Sequence, residues 1–363
     1  MQRKISPGIY VREAGIVERV AEYCGPQGTR AALIGGKTAL SVAGEGIIGG
    51  CKQKGIVISD EYWYGGQCSL SNIQKLAEEI KGRADIIIGV GGGKALDTAK
   101  ATAFRLDMPV ISVPTIAATC AAWTPLSVTY TDDGIFIELS PMAQTPSAVL
   151  VDTDIIAAAP VRLLAAGVGD TLAKWYEVDT TSRRSTGAVI MAARETAHIC
   201  RKVLLEYGSE AILSVKRREV TFALEQVVDA IIMLSGMVSG LGGDECRTAA
   251  AHAIYSGLTC LPRVHEVYHG ETVAFGILGQ LMLEDRPMDA EELAAGLIPM
   301  GLPVTLAQLG VHNPSPEDLQ HVGKGSVEAE DMRNMPFTVT PEMVVEAILA
   351  ADRVGRKCLG QGR

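Results

Sequence analysis

Short apolar runs separated by helical stretches fill the first part of the chain. Arg30 to Gly36 (RAALIGG) is an apolar run ending in a turn, and Gly55 to Ser59 (GIVIS) is a second. Ala84 to Gly93 (ADIIIGVGGG) sets three isoleucines before a glycine cluster, and Met108 to Thr115 (MPVISVPT) is a fourth. Runs of this length bounded by turn residues predict buried strands. Leu70 to Ile80 and Lys94 to Phe104 read as helices between them. Strands alternating with helices predict a parallel sheet covered on both faces.

The pattern changes near Ala158–Pro160. Beyond it the segments are longer and helical, as in Thr221 to Gly240 and Pro341 to Gly355, and strand-like runs nearly vanish. The fold class read from this is α/β: an N-terminal domain with a parallel, Rossmann-like sheet over 1–159, then an all-helical domain over 160–363. The length of 363 residues suits two domains rather than one core.

Composition narrows the function. With 47 % hydrophobic and 21 % charged residues the chain reads as a globular enzyme. A net charge of −9, with no local run of Lys and Arg, excludes nucleic acid as a partner. The eight cysteines (24, 51, 68, 120, 200, 246, 260 and 358) form no CxxC pair, so a thiolate zinc site is not expected. Arg3 and Lys4 lead into Pro7 and Gly8 rather than an apolar core, and no uninterrupted apolar run reaches bilayer length. A cytoplasmic setting with free thiols, and no membrane partner, is the expectation.

Two clusters carry chemistry. Gly89 to Lys100 (GVGGGKALDTAK) follows a strand and opens a helix, where backbone N–H groups and the helix dipole meet an anion. Lys94 stands where a Rossmann fingerprint would end in glycine, so taken alone the stretch also reads as a ligand-free turn. The second cluster is histidine. Three of the six, His252, His265 and His269, fall within one short stretch, and upstream lies Asp170 in GVGDTLAKWYE. Taken alone, Asp170 after Gly169 reads as a helix cap. Two histidines from neighbouring helices plus a remote carboxylate make a three-ligand site with an open position, the arrangement of a catalytic zinc.

The ordered set GGQCSLSNI, GVGGGKALDTAKA, VPTIAATCAAWTPLSVTYTDDG, GVGDTLAKWYE, AAAHAIYSGLT and YHGETVAFG resembles the iron-containing (group III) alcohol dehydrogenase family. The glycerol dehydrogenase and hydroxycarboxylate dehydrogenase A branches are the nearest groups. The resemblance covers nearly the whole chain. It implies a dehydroquinate synthase-like fold with the active site in a cleft between the domains, a nicotinamide cofactor (NADP or NAD), and zinc or iron(II) on Asp170, His252 and His269. It places the pyrophosphate on Gly91, Gly92 and Gly93 with Lys94 and Asp97, and further cofactor contacts on Thr115, Ala118, Thr124, Leu126 and Tyr130. A homo-oligomer is expected.

Three departures from the glycerol branch bear on specificity. Cys120 replaces an aspartate near the substrate, Lys174 a threonine, and Gly36 followed by Lys37 an acid at a strand end. That acid would accept from the ribose 2′-OH and repel a 2′-phosphate, so its absence admits NADP. Lys174, one turn beyond Asp170, would share its face and hold a substrate carboxylate; it also reads as a surface lysine paired with Glu177 or Asp179. Arg247 is a second candidate cation for the substrate. His265 reads as a proton relay or as plain loop lining, and Cys120 as cleft lining. The expected activity is interconversion of small 2-oxo and 2-hydroxy acids by metal-polarised hydride transfer, with glycerol oxidation as alternative. Dehydroquinate synthase chemistry and a metal-free dinucleotide-binding regulator rank below both.

Overall fold

The computed structural model describes every residue except 1–2, 26–27, 184, 247 and 361–363. The chain forms two compact units, Met1–Pro160 with Ser214–Gly240, and Val161–Leu213 with Leu241–Arg363.

In the first unit lie the strands β1 (Ile9–Glu13), β2 (Arg30–Gly35), β3 (Val57–Trp63), β4 (Ile86–Gly91), β5 (Val110–Pro114), β6 (Leu126–Tyr130), β7 (Phe136–Pro141) and β8 (Ala148–Asp152). Six of them form one sheet in the order β1-β8-β5-β4-β2-β3, and every neighbouring pair is parallel. β6 and β7 pair as a separate antiparallel hairpin. Alternate side chains of the sheet feed two cores. Ala31, Leu33, Ile86, Ile88 and Val90 join Ile16, Val20 and Ile47, while Ala32, Ile34 and Ile87 join Leu76, Ile80, Ala99 and Ala103 on the opposite face. The first core draws on α1 (Ala21–Cys24) and α2 (Lys37–Gln53), the second on α3 (Leu70–Ile80) and α4 (Gly93–Arg105). A short α5 (Thr153–Ala158) ends the α/β segment, capped by Asp152.

The strand order reverses at β2. The chain runs from β2 outward to β3, then crosses to β4 on the other side of β2. Ligands of open parallel sheets sit at the carboxyl ends of strands where the order reverses. Gly36 follows β2 and Gly91 ends β4, so the two glycine loops lie at that point.

The second unit is helical: α6 (Val161–Thr181), α7 (Ala188–Arg217), whose residues from Ser214 group with the first unit, α10 (Ala250–Leu258), α11 (His269–Leu283), α12 (Pro287–Leu297), α13 (Pro316–Glu328) and α14 (Pro341–Cys358). The intervening α8 (Phe222–Asp229) and α9 (Ser235–Gly242) are joined by a π-helical turn, Ala230–Leu234. Residues 214–240, read from sequence as part of the helical domain, group instead with the first unit. Tyr10 Oη donates to Asp229 at 2.7 Å and Arg12 Nε at 2.9 Å, and Gly236 leaves room for the Trp123 ring. By length and composition the run Phe222–Gly242 is also long and apolar enough to cross a membrane, although Glu225 and Asp229 interrupt it; 56 % of its most apolar window is buried within the fold.

Candidate functional site

Both helices at the strand-order reversal begin without a side-chain cap. Gly36 precedes α2 and Gly92 precedes α4, each in extended conformation. Their first N–H groups are therefore available to an anion. Gly91 has φ +144°, and a Cβ there would fall 3.0 Å from the Ala95 Cβ and 3.8 Å from the Gly36 nitrogen. Glycine suits that φ, which L side chains rarely adopt, and lies in ordinary contact with the β2 loop. Thr115 N donates to Gly91 O at 3.2 Å, which brings the end of β5 to the same place. A dinucleotide pyrophosphate fits this cradle.

Lys94, in the first turn of α4, is exposed and lies 5.1 Å from the centre of the Tyr130 ring; partial desolvation lowers its ammonium pKa. Ala118, Leu126 and Tyr130 are half-buried, and Thr124 is buried. Asp97 also carries fold contacts. It is buried in α4, pairs with Lys100 at 2.9 Å and accepts from Val128 N at 3.0 Å. Asp97 thereby fastens β6 to α4. Burial raises its pKa and Lys100 opposes that shift.

Lys100, which sequence reasoning passed over, is 1 % exposed. Its ammonium donates to the carbonyls of Ala121 (2.7 Å), Thr124 (3.0 Å) and Leu126 (2.6 Å). It thereby fixes the backbone that carries Thr124 and Leu126. Lys37 opens α2 with its Nζ 4.8 Å from the Trp63 ring centre. Above Gly36 there is room: a Cβ would meet only Tyr64 Cε1 at 3.6 Å and Ala39 Cβ at 4.0 Å. Cys120 is half-buried in the loop after β5.

In the second unit Asp170, His252 and His269 converge, their ligand atoms all within 4.8 Å of one another. Asp170 Oδ1 lies 3.5 Å from His252 Nε2 and 3.3 Å from His269 Nε2. Asp170 is not at a helix start, as Gly-Asp suggested, but in the middle of α6. The glycine serves a helix crossing instead. A Cβ on Gly169 would fall 2.2 Å from Gly270 O, and one on Gly270 would fall 1.9 Å from Ala166 O. These glycines adjoin Asp170 and His269, so the close crossing of α6 and α11 brings the two ligands together.

His252 lies in the first turn of α10, where its Nδ1 meets Glu177 Oε2 at 2.8 Å. Glu177 Oε1 accepts from Ala249 N (2.7 Å) and His252 N (3.0 Å), standing in for a cap that Ala249 cannot supply. His269 opens α11 and takes the Tyr255 ring edge-on at 4.4 Å. The same helix start is clamped by Arg162, which forks onto Glu271 at 2.6 and 2.8 Å. Burial would raise the Asp170 carboxyl, but hydrogen bonds and charge from the two histidines outweigh it and hold it well below the usual range. Burial would lower His252, but Glu177 and Asp170 outweigh it and push it up to about 10. Two imidazoles and a carboxylate facing one point are a fit donor set for zinc or iron(II).

Lys174 is half-buried one turn beyond Asp170 in α6. His265 sits exposed in the 3-10 turn Pro262–Glu266, outside the ligand cluster. Arg247 lies outside the described residues. Lys100 and Glu177 close two of the motifs above without a role being legible for them, and Arg162 lies in none, since each acts through a fold contact distant in sequence.

Comparison with known proteins gives the family. Residues 7–153 match the family model described as iron-containing alcohol dehydrogenase. The chain is 41 % identical over 362 residues to a glycerol dehydrogenase of Escherichia coli O6:H1, spanning 98 % of this chain and 97 % of that protein. It is 37 % identical over 342 residues to hydroxycarboxylate dehydrogenase A of Escherichia coli K12, spanning 93 % and 94 %. The crystal structure of glycerol dehydrogenase from Schizosaccharomyces pombe superposes with a TM-score of 0.91 at 34 % identity, covering 99 % of this chain and 93 % of that one.

Proposed function

This chain belongs to the iron-containing alcohol dehydrogenase family, and from that premise we propose that it interconverts small polyols, of which glycerol is the type, and their ketones. It is an oxidoreductase of glycerol dehydrogenase type. The observation that carries the metal dependence is the convergence of Asp170, His252 and His269, with Glu177 behind His252. Bound there, a divalent ion supplies Lewis acidity toward the substrate oxygen, and a bound nicotinamide supplies or takes the hydride. Asp170, His252 and His269 hold the ion. Glu177 orients His252, and Arg162 steadies the helix start that carries His269. Gly91, Gly92 and Gly93 take the pyrophosphate on uncapped backbone, with Lys94 beside it.

The weight of similarity to glycerol dehydrogenases puts polyols ahead of the 2-oxo acids expected from charge alone. A 2-oxo acid remains the second reading, favoured by Cys120 in place of a carboxylate and by the cation Lys174. For the cofactor, Gly36 offers no carboxylate to exclude a 2′-phosphate and Lys37 stands next to it, so the reading includes use of NADPH at least as well as NADH. Eight free cysteines support a cytoplasmic setting.

The test is a panel of glycerol, dihydroxyacetone and 2-oxo acids with both cofactors, on metal-replete and chelator-stripped enzyme. Stripping, or His252→Ala, is expected to abolish turnover while leaving NADPH fluorescence titration unchanged. Full turnover without metal overturns the metal dependence. Efficient use of 2-oxo acids with no polyol activity overturns the polyol reading in favour of the second.

A further inference from the structure

Asp170 and Glu177 are seven residues apart in α6, two helical turns, and so lie on one face. The His252 ring stands between them. Its Nε2 faces Asp170 Oδ1 at 3.5 Å and its Nδ1 faces Glu177 Oε2 at 2.8 Å. The other oxygen of Glu177 is committed, because Ala249 N and His252 N are both donors and Oε1 must accept from them. Glu177 is 1 % exposed, so this set of contacts is closed to solvent.

We infer that Glu177 is a positioning residue of the metal centre, fixing which nitrogen of His252 is free to ligate. A carboxylate oxygen has only lone pairs to offer Nδ1, so Nδ1 keeps its hydrogen and Nε2 is the nitrogen left to give up its proton and ligate. Nε2 is the nitrogen that faces Asp170. The same carboxylate caps the start of α10 and so sets where the ring begins. One side chain therefore fixes both the position of the ligand and its tautomer, and its negative charge makes the imidazole a stronger donor.

The inference rests on the metal reading above, and Glu177→Gln tests it. Glutamine has the same shape, but the two backbone donors require its oxygen at the Oε1 position. Its NH2 then faces Nδ1 and can only donate. Nδ1 must accept, which moves the ring hydrogen to Nε2 and into the path of the metal. Zinc affinity, measured on the full-length protein by competition with a chromophoric chelator, is expected to fall about ten- to a hundredfold, and the absorption spectrum of the Co2+-loaded form to change with it. Glu177→Asp, which keeps charge and acceptor oxygens, should recover part of the affinity. A loss in Glu177→Gln supports the inference if the unfolding temperature of the metal-free protein holds, or if Glu177→Asp recovers affinity. A loss with neither shows that Glu177 is only a strut and overturns the inference, as does zinc binding by Glu177→Gln within threefold of wild type. Wild-type protein that takes up neither Zn2+ nor Co2+ is a separate outcome, which overturns the metal reading itself.

Discussion

Gly270→Ala tests whether the metal centre is built by a close helix crossing. The new Cβ would fall 1.9 Å from Ala166 O and 3.1 Å from Asp170 N. A carbon and a carbonyl oxygen approach no closer than about 3.3 Å, so α11 and α6 must part by roughly 1.4 Å. Both opposing atoms are helix backbone, which leaves no rotamer to absorb the change. Overpacking of this kind costs about 1–3 kcal/mol, against a gain of up to about 1 kcal/mol from replacing a helical glycine. The larger consequence is geometric. His269 Nε2 and Asp170 Oδ1 now stand 3.3 Å apart, and metal sites tolerate only about 0.2 Å in ligand distance. Gly270→Ala is therefore expected to lose stoichiometric zinc, lower turnover on the order of a hundredfold, and melt several degrees earlier in excess chelator. Gly49→Ala is the control, because nothing lies within 4 Å of its added Cβ inside α2, and it should leave zinc and turnover unchanged. Zinc content by mass spectrometry and thermal melting decide the matter. A Gly270→Ala protein with full zinc and a wild-type melting temperature would refute the reasoning.

Gly36→Asp is sterically admissible, with its nearest neighbour at 3.6 Å, and is expected to shift preference toward NADH by roughly tenfold or more through one charge-assisted hydrogen bond and 2′-phosphate repulsion; unchanged dissociation constants for NADH and NADPH would show that the ribose lies elsewhere. Lys100→Met leaves three carbonyls and Asp97 without their cation and should cost about 3–5 kcal/mol, with weaker NADPH binding as the loop 121–126 loosens; a variant that melts and titrates like wild type would remove Lys100 from the account.

The central strands were legible because β2, β4 and β5 are buried on both faces and read as unbroken apolar runs. β1 (IYVRE) carries two charges at the sheet edge, and β8 (AVLVD) is five residues ending in a helix cap, so neither stood out. The hairpin of β6 and β7 was missed because β7 is largely exposed and has no apolar alternation. Asp170, His252 and His269 were legible as residue types, but Asp170 was misplaced. Glycine before aspartate looks the same whether it starts a helix or admits another helix, and only the Gly169–Gly270 approach separates the two. Phe222–Gly240 are helical, much as read for Thr221–Gly240, but helical period says nothing about which core a helix joins. The contacts of Asp229 with Tyr10 and Arg12 decide that.

Lys100 and Glu177 show why charged groups occupy positions that apolar packing could fill. Each is 1 % exposed, in separate units, and each spends most of its hydrogen-bonding capacity on backbone atoms beside a ligand position. Apolar side chains of similar volume would often be as stabilising or more so. They would not fix direction, because the hydrophobic effect is non-directional. An ammonium with three carbonyl acceptors locates three backbone points at 2.6 to 3.0 Å, and a carboxylate accepting two N–H groups and one ring nitrogen locates a helix start and an imidazole at 2.7 to 3.0 Å. A metal centre that tolerates a few tenths of an ångström needs that kind of constraint. Stability and function should therefore separate at these two sites. Changes that keep volume but remove polarity should disturb ligand binding more than folding at Glu177, where only one helix start depends on the contact. They should disturb both at Lys100, where a buried aspartate is left behind.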